Sequence, residues 1–468
     1  MSVVFCGVVP HPPIAVPEVG NREAKKVQDT QQALLELGWR IKASGAEVLV
    51  IISPHSPVFA DAIVINNSPR LKGSLQRFGA PGVTFDYAGD LDMVDEIIDR
   101  CQELNLAAAV LDEDLAKDYN VDVTLDHGVT VPLYFIRQAG VELPLVVVSM
   151  SLLSFEQLYH FGLAVDRAAR AQNRPVALLA SGDLSHRLAP DAPAGFHPQA
   201  KEFDSDIVRL VGAADAQGLI NYDLDAVDRA GECGMRPIIM MMGALDGKGV
   251  EAEVLSYQAP FGVGYMVASL IPGRQDDSKS ILANLAKERQ QRIKKMRERE
   301  SYLVQLARHT LESHVLGKDK PKIDLKEVPE EFKKPAATFV TVKKNGHLRG
   351  CIGTVLPRYE SIVEEVMQNA ISAGTADPRF QPVRPEELDE LTYSVDVLAE
   401  PEPISDLTEL DPHKYGVIVS AGHRRGLLLP NLEGIDHARQ QVEIAKEKAG
   451  IGPGEKVNLE RFEVIRYK

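Results

Sequence analysis

Apolar residues follow a repeating pattern through residues 1–273. Short runs rich in Val, Ile and Leu, at Ser2–Val9, Glu47–Ser53, Leu145–Met150 and Val176–Ser181, contain few polar positions. Such runs suit strands buried on both faces. Between them lie stretches with helical spacing, such as Arg22–Ser44 and Met93–Leu104. The alternation predicts an α/β domain with a central mixed sheet flanked by helices. Ser256–Ile271 (SYQAPFGVGYMVASLI) reads as its closing strand or hairpin.

The pattern then changes. Gly273–Ser278 is polar and turn-like, and Lys287–Glu300 (KERQQRIKKMRERE) is a dense charge run built from strong helix formers. Interleaved acids make it a solvated helix rather than a nucleic-acid arm. Residues 274–299 therefore read as a charged helical linker. From 300 to 468 the spacing predicts a smaller α+β domain. It opens with a helix over Ser301–His314 and continues with strands at Thr338–Lys343 and His347–Thr354, joined by Asn345-Gly346. Asn-Gly between apolar runs is a strong hairpin signal. A helix at Ile362–Ala373 and strands at Leu391–Leu398 and Gly416–Val419 follow.

Composition narrows the function classes. The chain has 468 residues, 44% hydrophobic and 25% charged, with a net charge of -15. That length favours two or three domains. The acidic balance argues against nucleic acid or an anionic membrane as partner. The four cysteines, Cys6, Cys101, Cys233 and Cys351, form no CxxC pair. They read as reduced thiols of a cytoplasmic protein. No apolar run is long enough to span a bilayer. The first residues, MSVVFCGVVPHPP, lack a basic n-region and read as a buried strand rather than a signal peptide.

Three predicted strands end in a histidine-bearing loop: VVFCGVVPHPP with His11, EVLVIISPHSP with His55 and VALLASGDLSH with His186. Functional groups in parallel α/β sheets gather at the carboxyl edge. His11 and His55 both sit in Pro-His-x-Pro, which restricts the backbone around a ligand. Two imidazoles and one carboxylate can form a facial triad on iron(II) with open positions for substrate and O2. The third donor is sought in Asp228–Gly234, just before the apolar helix Ile238–Leu245. Glu232 is the favoured carboxylate and Cys233 the alternative thiolate. Adjacent residues at a helix start diverge, so one of the two binds. His127 and His186 are candidates beside the metal, with Asp126 or Asp183 to orient them. His160 and His197 lack such a setting and read as structural. Arg187 or Arg236 could hold a substrate carboxylate. Zn(II) with His186 as a base for water, giving a hydrolase, uses the same donors.

Taken together, PHPP, SPHSP, DHGVTVPL, SGDLSH and the ECG-x-RP segment resemble the class III extradiol ring-cleavage dioxygenases, including the protocatechuate 4,5-dioxygenase catalytic subunit and the DOPA-dioxygenase type. The resemblance spans nearly all of residues 1–272. It implies His11, His55 and Glu232 as iron(II) ligands, His186 as acid/base and His127 as a contact to substrate or oxygen. The reaction implied is ring opening of a catecholic substrate with both atoms of O2. Cys233-Gly234-Met235-Arg236-Pro237 also resembles the CG-x-x-P segment of the Memo family, in which cysteine replaces the carboxylate. That likeness implies a metal-binding or interaction module without ring cleavage.

In the second domain His347–Thr354 (HLRGCIGT) places Cys351 between two glycines. Cys351 is a nucleophile candidate, with His347, His423 and His437 as bases, beside the plainer reading of a small buried thiol. LRGCIG, Asn369-Ala370 to Ala376-Asp377-Pro378-Arg379-Phe380, Gly426–Pro430 and Lys448-Ala449-Gly450 resemble the AMMECR family over about residues 300–468. The paired families imply the AmmeMemoRadiSam system, and with it a radical-SAM protein partner. The oligomeric state stays open, a homo-oligomer included.

Overall fold

β1 (Val3–Val9), β2 (Val48–Ser53), β7 (Leu145–Ser149) and β8 (Val176–Ser181) are buried along almost their whole length. They form the parallel centre of one large sheet in a computed structural model of the chain. The structure describes residues 2–324, 326, 328–344, 347–430, 435, 437–452 and 454–468. The chain divides into two units, Met1–Leu285 and Ala286–Lys468.

In the first unit the sheet also contains β3 (Ile63–Asn66), β6 (Ala108–Leu111), β9 (Lys248–Gln258) and β10 (Tyr265–Gln275). The order is β6-β3-β7-β2-β8-β1-β10-β9. β1, β8, β2 and β7 run parallel, whereas β3 against β7 and β10 against both β1 and β9 are antiparallel. The sheet is therefore mixed, as its apolar runs predict. β4 (Arg70–Leu75) and β5 (Ala80–Ala88) make a separate two-stranded hairpin. Two apolar cores lie on the two faces of the large sheet. One includes Val50, Ile52, Val146 and Leu178, and the other Leu49, Ile51, Val147 and Leu179. Alternation along each strand sends neighbours to opposite faces, so both faces must be covered by helices. Helices Gln28–Ser44 and His127–Gln138 serve one side, Phe155–Ala171 and Met235–Gly243 the other.

The closing hairpin is longer than the apolar run over Ser256–Ile271 predicts. β9 begins at Lys248, and its half-buried face alternates polar with apolar residues, so it carries no continuous apolar run. Two glycines fix the crossing of Phe155–Ala171 with Met235–Gly243. A Cβ on Gly162 would stand 2.0 Å from the Met240 carbonyl oxygen, and one on Gly243 1.8 Å from that of Tyr159. The start of the second helix, where Cys233 enters, is thereby held in place.

In the second unit β11 (Thr338–Lys344), β12 (His347–Gly353), β13 (Leu391–Leu398) and β18 (Val464–Tyr467) form one sheet in the order β12-β11-β13-β18. Helices Tyr302–Val315 and Ile362–Thr375 cover one face through Leu303, Leu311, Val363 and Val366 against Val340, Val342 and Val395. β14 (Glu402–Ile404), β15 (Gly416–Ala421), β16 (Arg424–Leu428) and β17 (Asn458–Phe462) form a second sheet in the order β14-β17-β15-β16. The helix Ala438–Lys448 packs on it. β11 and β12 pair antiparallel. The Asn345-Gly346 turn predicted between them lies outside the described residues. Among the described residues no helix is long and apolar enough to cross a membrane.

Candidate metal centre

Because β1, β2 and β8 are parallel neighbours, the loops that follow them leave the same edge of the sheet. His11 follows β1, His55 follows β2 and His186 follows β8. The Nε2 atoms of His11 and His55 lie 3.0 Å apart. The Cys233 Sγ is 3.6 Å from His11 Nε2 and 3.8 Å from His186 Nε2. Donor atoms of His11, His55 and Cys233 all fall within 4.8 Å of one another.

Each donor is fixed by its own neighbours. The backbone N–H of His11 donates to Asp183 Oδ1 at 2.9 Å, which ties the β1 loop to the β8 loop. The Ser181 hydroxyl donates to the Gly128 carbonyl. Its oxygen must then accept from His11 Nδ1–H, 2.9 Å away. That fixes the tautomer and leaves His11 Nε2 bare and facing His55. Asp126 holds the His55 loop. It accepts from Ser53 Oγ at 2.8 Å, Ser56 Oγ at 2.6 Å and the backbone N–H of Gly128 at 2.7 Å. Ser53 Oγ also accepts from the backbone N–H of His55. Asp126 thus orients the loop that carries His55, not the ring of His127 as the sequence reading had it.

Cys233 arrives from the other side. Gly231, with φ of +60°, ends the helix Leu224–Ala230 in the left-handed region that favours glycine. The backbone N–H of Cys233 donates to the Asp183 carbonyl at 3.2 Å, and that of Asp183 to Cys233 Sγ at 3.3 Å. The approach needs glycine, since a Cβ on Gly182 would stand 2.1 Å from Gly234 Cα.

Here the expected carboxylate gives way to the thiol. Glu232 turns back on its own chain and accepts the backbone N–H of Met235, at the start of the helix Met235–Gly243. It satisfies a free donor of the helix start, where negative charge is favourable. Glu232 is absent from the donor group that His11 and His55 form, and Cys233 takes that place.

Burial sets the protonation of the cluster. It lowers His11 well below the ordinary imidazole range, helped by the nearby His55, His127 and His186. Burial likewise lowers His55 and His186, and brings His127 down to about 4. Neutral imidazoles are the form that ligates a cation. Burial pushes the Cys233 thiol well up and raises Asp183 and Glu232 to about 7 each. A cation on the cluster must therefore displace the thiol proton.

His127 begins the helix His127–Gln138. Its ring stacks on His55 with centroids 4.1 Å apart and meets His11 edge-on at 5.2 Å. Phe78, from the turn between β4 and β5, contacts His127 at 5.3 Å and was not foreseen from the sequence. Ser181, Ser53 and Ser56 were also passed over, although each stands inside a quoted motif, beside the histidine or aspartate it holds.

The two arginines are engaged locally. Arg187 Nη1 donates to the Arg229 carbonyl at 3.2 Å. Arg236 Nη1 donates to the Leu153 carbonyl at 3.0 Å, with its guanidinium over the Phe155 ring. His160 Nδ1 lies 2.8 Å from the Glu156 carbonyl within its own helix. His197 Nδ1 accepts from the backbone N–H of Gln199. In the second unit the Cys351 thiol lies 3.3 Å from Thr341 Oγ1, and burial raises its pKa. Neither His423 nor His437 is hydrogen-bonded to it, and the side chain of His347 lies outside the described residues.

The donor set suits a transition-metal cation. Two imidazole nitrogens and a thiol on one side, from three separate loops, leave the remaining positions open, as in a catalytic rather than a structural site. Without a cation, the bare Nε2 of His11 can only accept a proton from His55. With both nitrogens bare, the pair needs a positive charge between them.

Comparisons with known proteins agree with this layout. The family described as "Catalytic LigB subunit of aromatic ring-opening dioxygenase" matches residues 6–268, and the AMMECR1 family matches residues 304–468. A Clostridium acetobutylicum protein, CA_C1420, is 38% identical over 469 residues, covering all of both chains. A Thermotoga maritima protein is 56% identical over 144 residues, 30% of this chain and 83% of its own. The solved structure of PH0010 from Pyrococcus horikoshii, described as uncharacterized, is 31% identical. It covers 36% of this chain and 90% of its own, with a TM-score of 0.33. With more than half of its length matched, the chain belongs to the LigB family of aromatic ring-opening dioxygenase catalytic subunits, fused here to an AMMECR1 domain.

Proposed function

We propose that the first unit is a non-haem iron(II) enzyme that opens the ring of a catecholic substrate with O2. The convergence of His11, His55 and Cys233 at one sheet edge, within the LigB family, carries this reading. His11, His55 and Cys233 would hold the metal, which supplies a centre where two adjacent hydroxyls and dioxygen meet. Neutral His186, beside Cys233, takes a phenolic proton as the substrate docks and returns it later. His127, stacked on His55 and covered by Phe78, shields the open side from water and hydrogen-bonds oxygen.

The thiol in the carboxylate's place favours a second reading. In it the same donors hold a metal without ring opening, in a module that works with a radical-SAM partner. A panel of catechols offered to anaerobically iron-loaded protein, followed by admission of O2, separates the two. The first reading predicts yellow ring-opened product that is lost in Cys233→Ala and kept in Glu232→Ala. No product from any catechol, with metal still bound, sinks it and supports the second.

A further inference from the structure

The second unit contains a cavity of about 460 Å³, a volume common for small-molecule sites. Its lining is unusual for a chain of net charge -15: Arg297, Arg299, Lys343 and Lys468 stand against a single carboxylate, Glu300. Glu300 is paired with Arg308 at 2.9 Å, and Arg297 with Glu312 at 3.5 Å. That leaves three cations uncompensated. Among the described residues, the side chains of Arg299, Lys343 and Lys468 have no ion-pair or hydrogen-bond partner.

Exposed lysines and arginines are often simply solvated, so the convergence needs a second support. Two buried polar atoms supply it. The Tyr393 hydroxyl and Arg297 Nε both belong to residues lining this cavity, and neither has a hydrogen-bond partner in the protein. Buried polar groups are nearly always paired in folded proteins. Two orphans at one cavity are groups that a polar ligand can satisfy. Hydroxyls are also at hand. Lys343 pairs directly across the sheet with Thr392, and Ser394 lies two residues further along β13, so all three project from the same face. Met296, an exposed thioether, adds an apolar wall.

We propose that this cavity binds a small organic anion, a phosphate or carboxylate group carried on an apolar body. Arg299, Lys343 and Lys468 neutralise the anion. Thr392 and Ser394 donate to its oxygens, and Met296 covers the apolar part. The site is independent of the metal centre and stands whether or not the first unit opens aromatic rings.

Calorimetry on the full chain at low ionic strength tests the proposal. The probes are phenyl phosphate and benzoate, with neutral benzyl alcohol as control. Saturable binding of phenyl phosphate, benzoate or both is expected, and none of benzyl alcohol. The stronger of the two anions identifies the headgroup. The double variant Arg299→Ala/Lys343→Ala should bind about tenfold more weakly or worse, since each lost contact is charge-assisted. Both positions are exposed, so its melting temperature should match the parent; Lys343→Gln alone serves if it does not. Lack of saturable anion binding overturns the proposal. So does an affinity unchanged in the variant, which would place the anion elsewhere, the metal centre included.

Discussion

Ser181 decides which nitrogen of His11 is bare. Its hydroxyl is committed to the Gly128 carbonyl, so it can only accept from Nδ1–H, and Nε2 is left to face His55. Replacing Ser181 with Ala removes that constraint. Metal affinity should fall about tenfold or more, the usual effect of losing a group that orients a ligand histidine. Titration with a competing chelator measures it, and an unchanged affinity would show that the tautomer is set by something else. His11 and His55 were legible in the sequence because Pro-His-x-Pro stands at the end of an apolar run in both. The choice between Glu232 and Cys233 was not. It depends on the left-handed turn at Gly231 and on the Met235 N–H that draws the carboxylate away. Neither leaves a mark in residue spacing.

Among the elements, the β8 loop and the loop before the helix Met235–Gly243 approach each other at Gly182 and Gly234. A methyl group on Gly182 would meet backbone on all its near contacts: Gly234 Cα at 2.1 Å, Gly234 N at 2.9 Å and the Cys233 carbonyl at 3.2 Å. Backbone cannot rotate aside as a side chain can. Gly182→Ala should cost roughly 1–3 kcal/mol by overpacking and move Cys233 away from His11. Denaturant unfolding together with metal content tests both effects. Full metal content in a variant of parental stability would contradict the close approach. The parallel strands were readable because strands buried on both faces need continuous apolar runs. The hairpin β4–β5 was not, because β5 alternates buried and exposed positions in a small separate sheet. Phe78 at its turn reaches His127 through a contact that only the folded chain creates.

At the scale of the whole molecule, each unit has its own apolar core, so each should respond to pH through its own ion pairs. Glu387 in the second unit shows the sign. Burial alone would raise its pKa, but hydrogen bonds from Arg349 and the Arg384 backbone outweigh it and hold the carboxyl at about 2. An unfolded glutamate titrates near ~4.3. The contribution is therefore complete above that value and is lost as pH falls through about 2. Glu387→Gln should flatten the acid dependence in that window. Trp39, the single tryptophan, belongs to the first unit. The change should appear in far-ultraviolet circular dichroism and leave the Trp39 fluorescence transition unmoved. An equal shift in both signals would tie the stabilities of the two units together.

The most direct measurement is X-ray absorption at the metal edge of protein purified without oxygen. A single metal per chain with two nitrogen neighbours and one sulfur, the sulfur lost in Cys233→Ala, is the predicted result. A metal shell without sulfur, or a sulfur signal that survives Cys233→Ala, would contradict the assignment of His11, His55 and Cys233 as its holders.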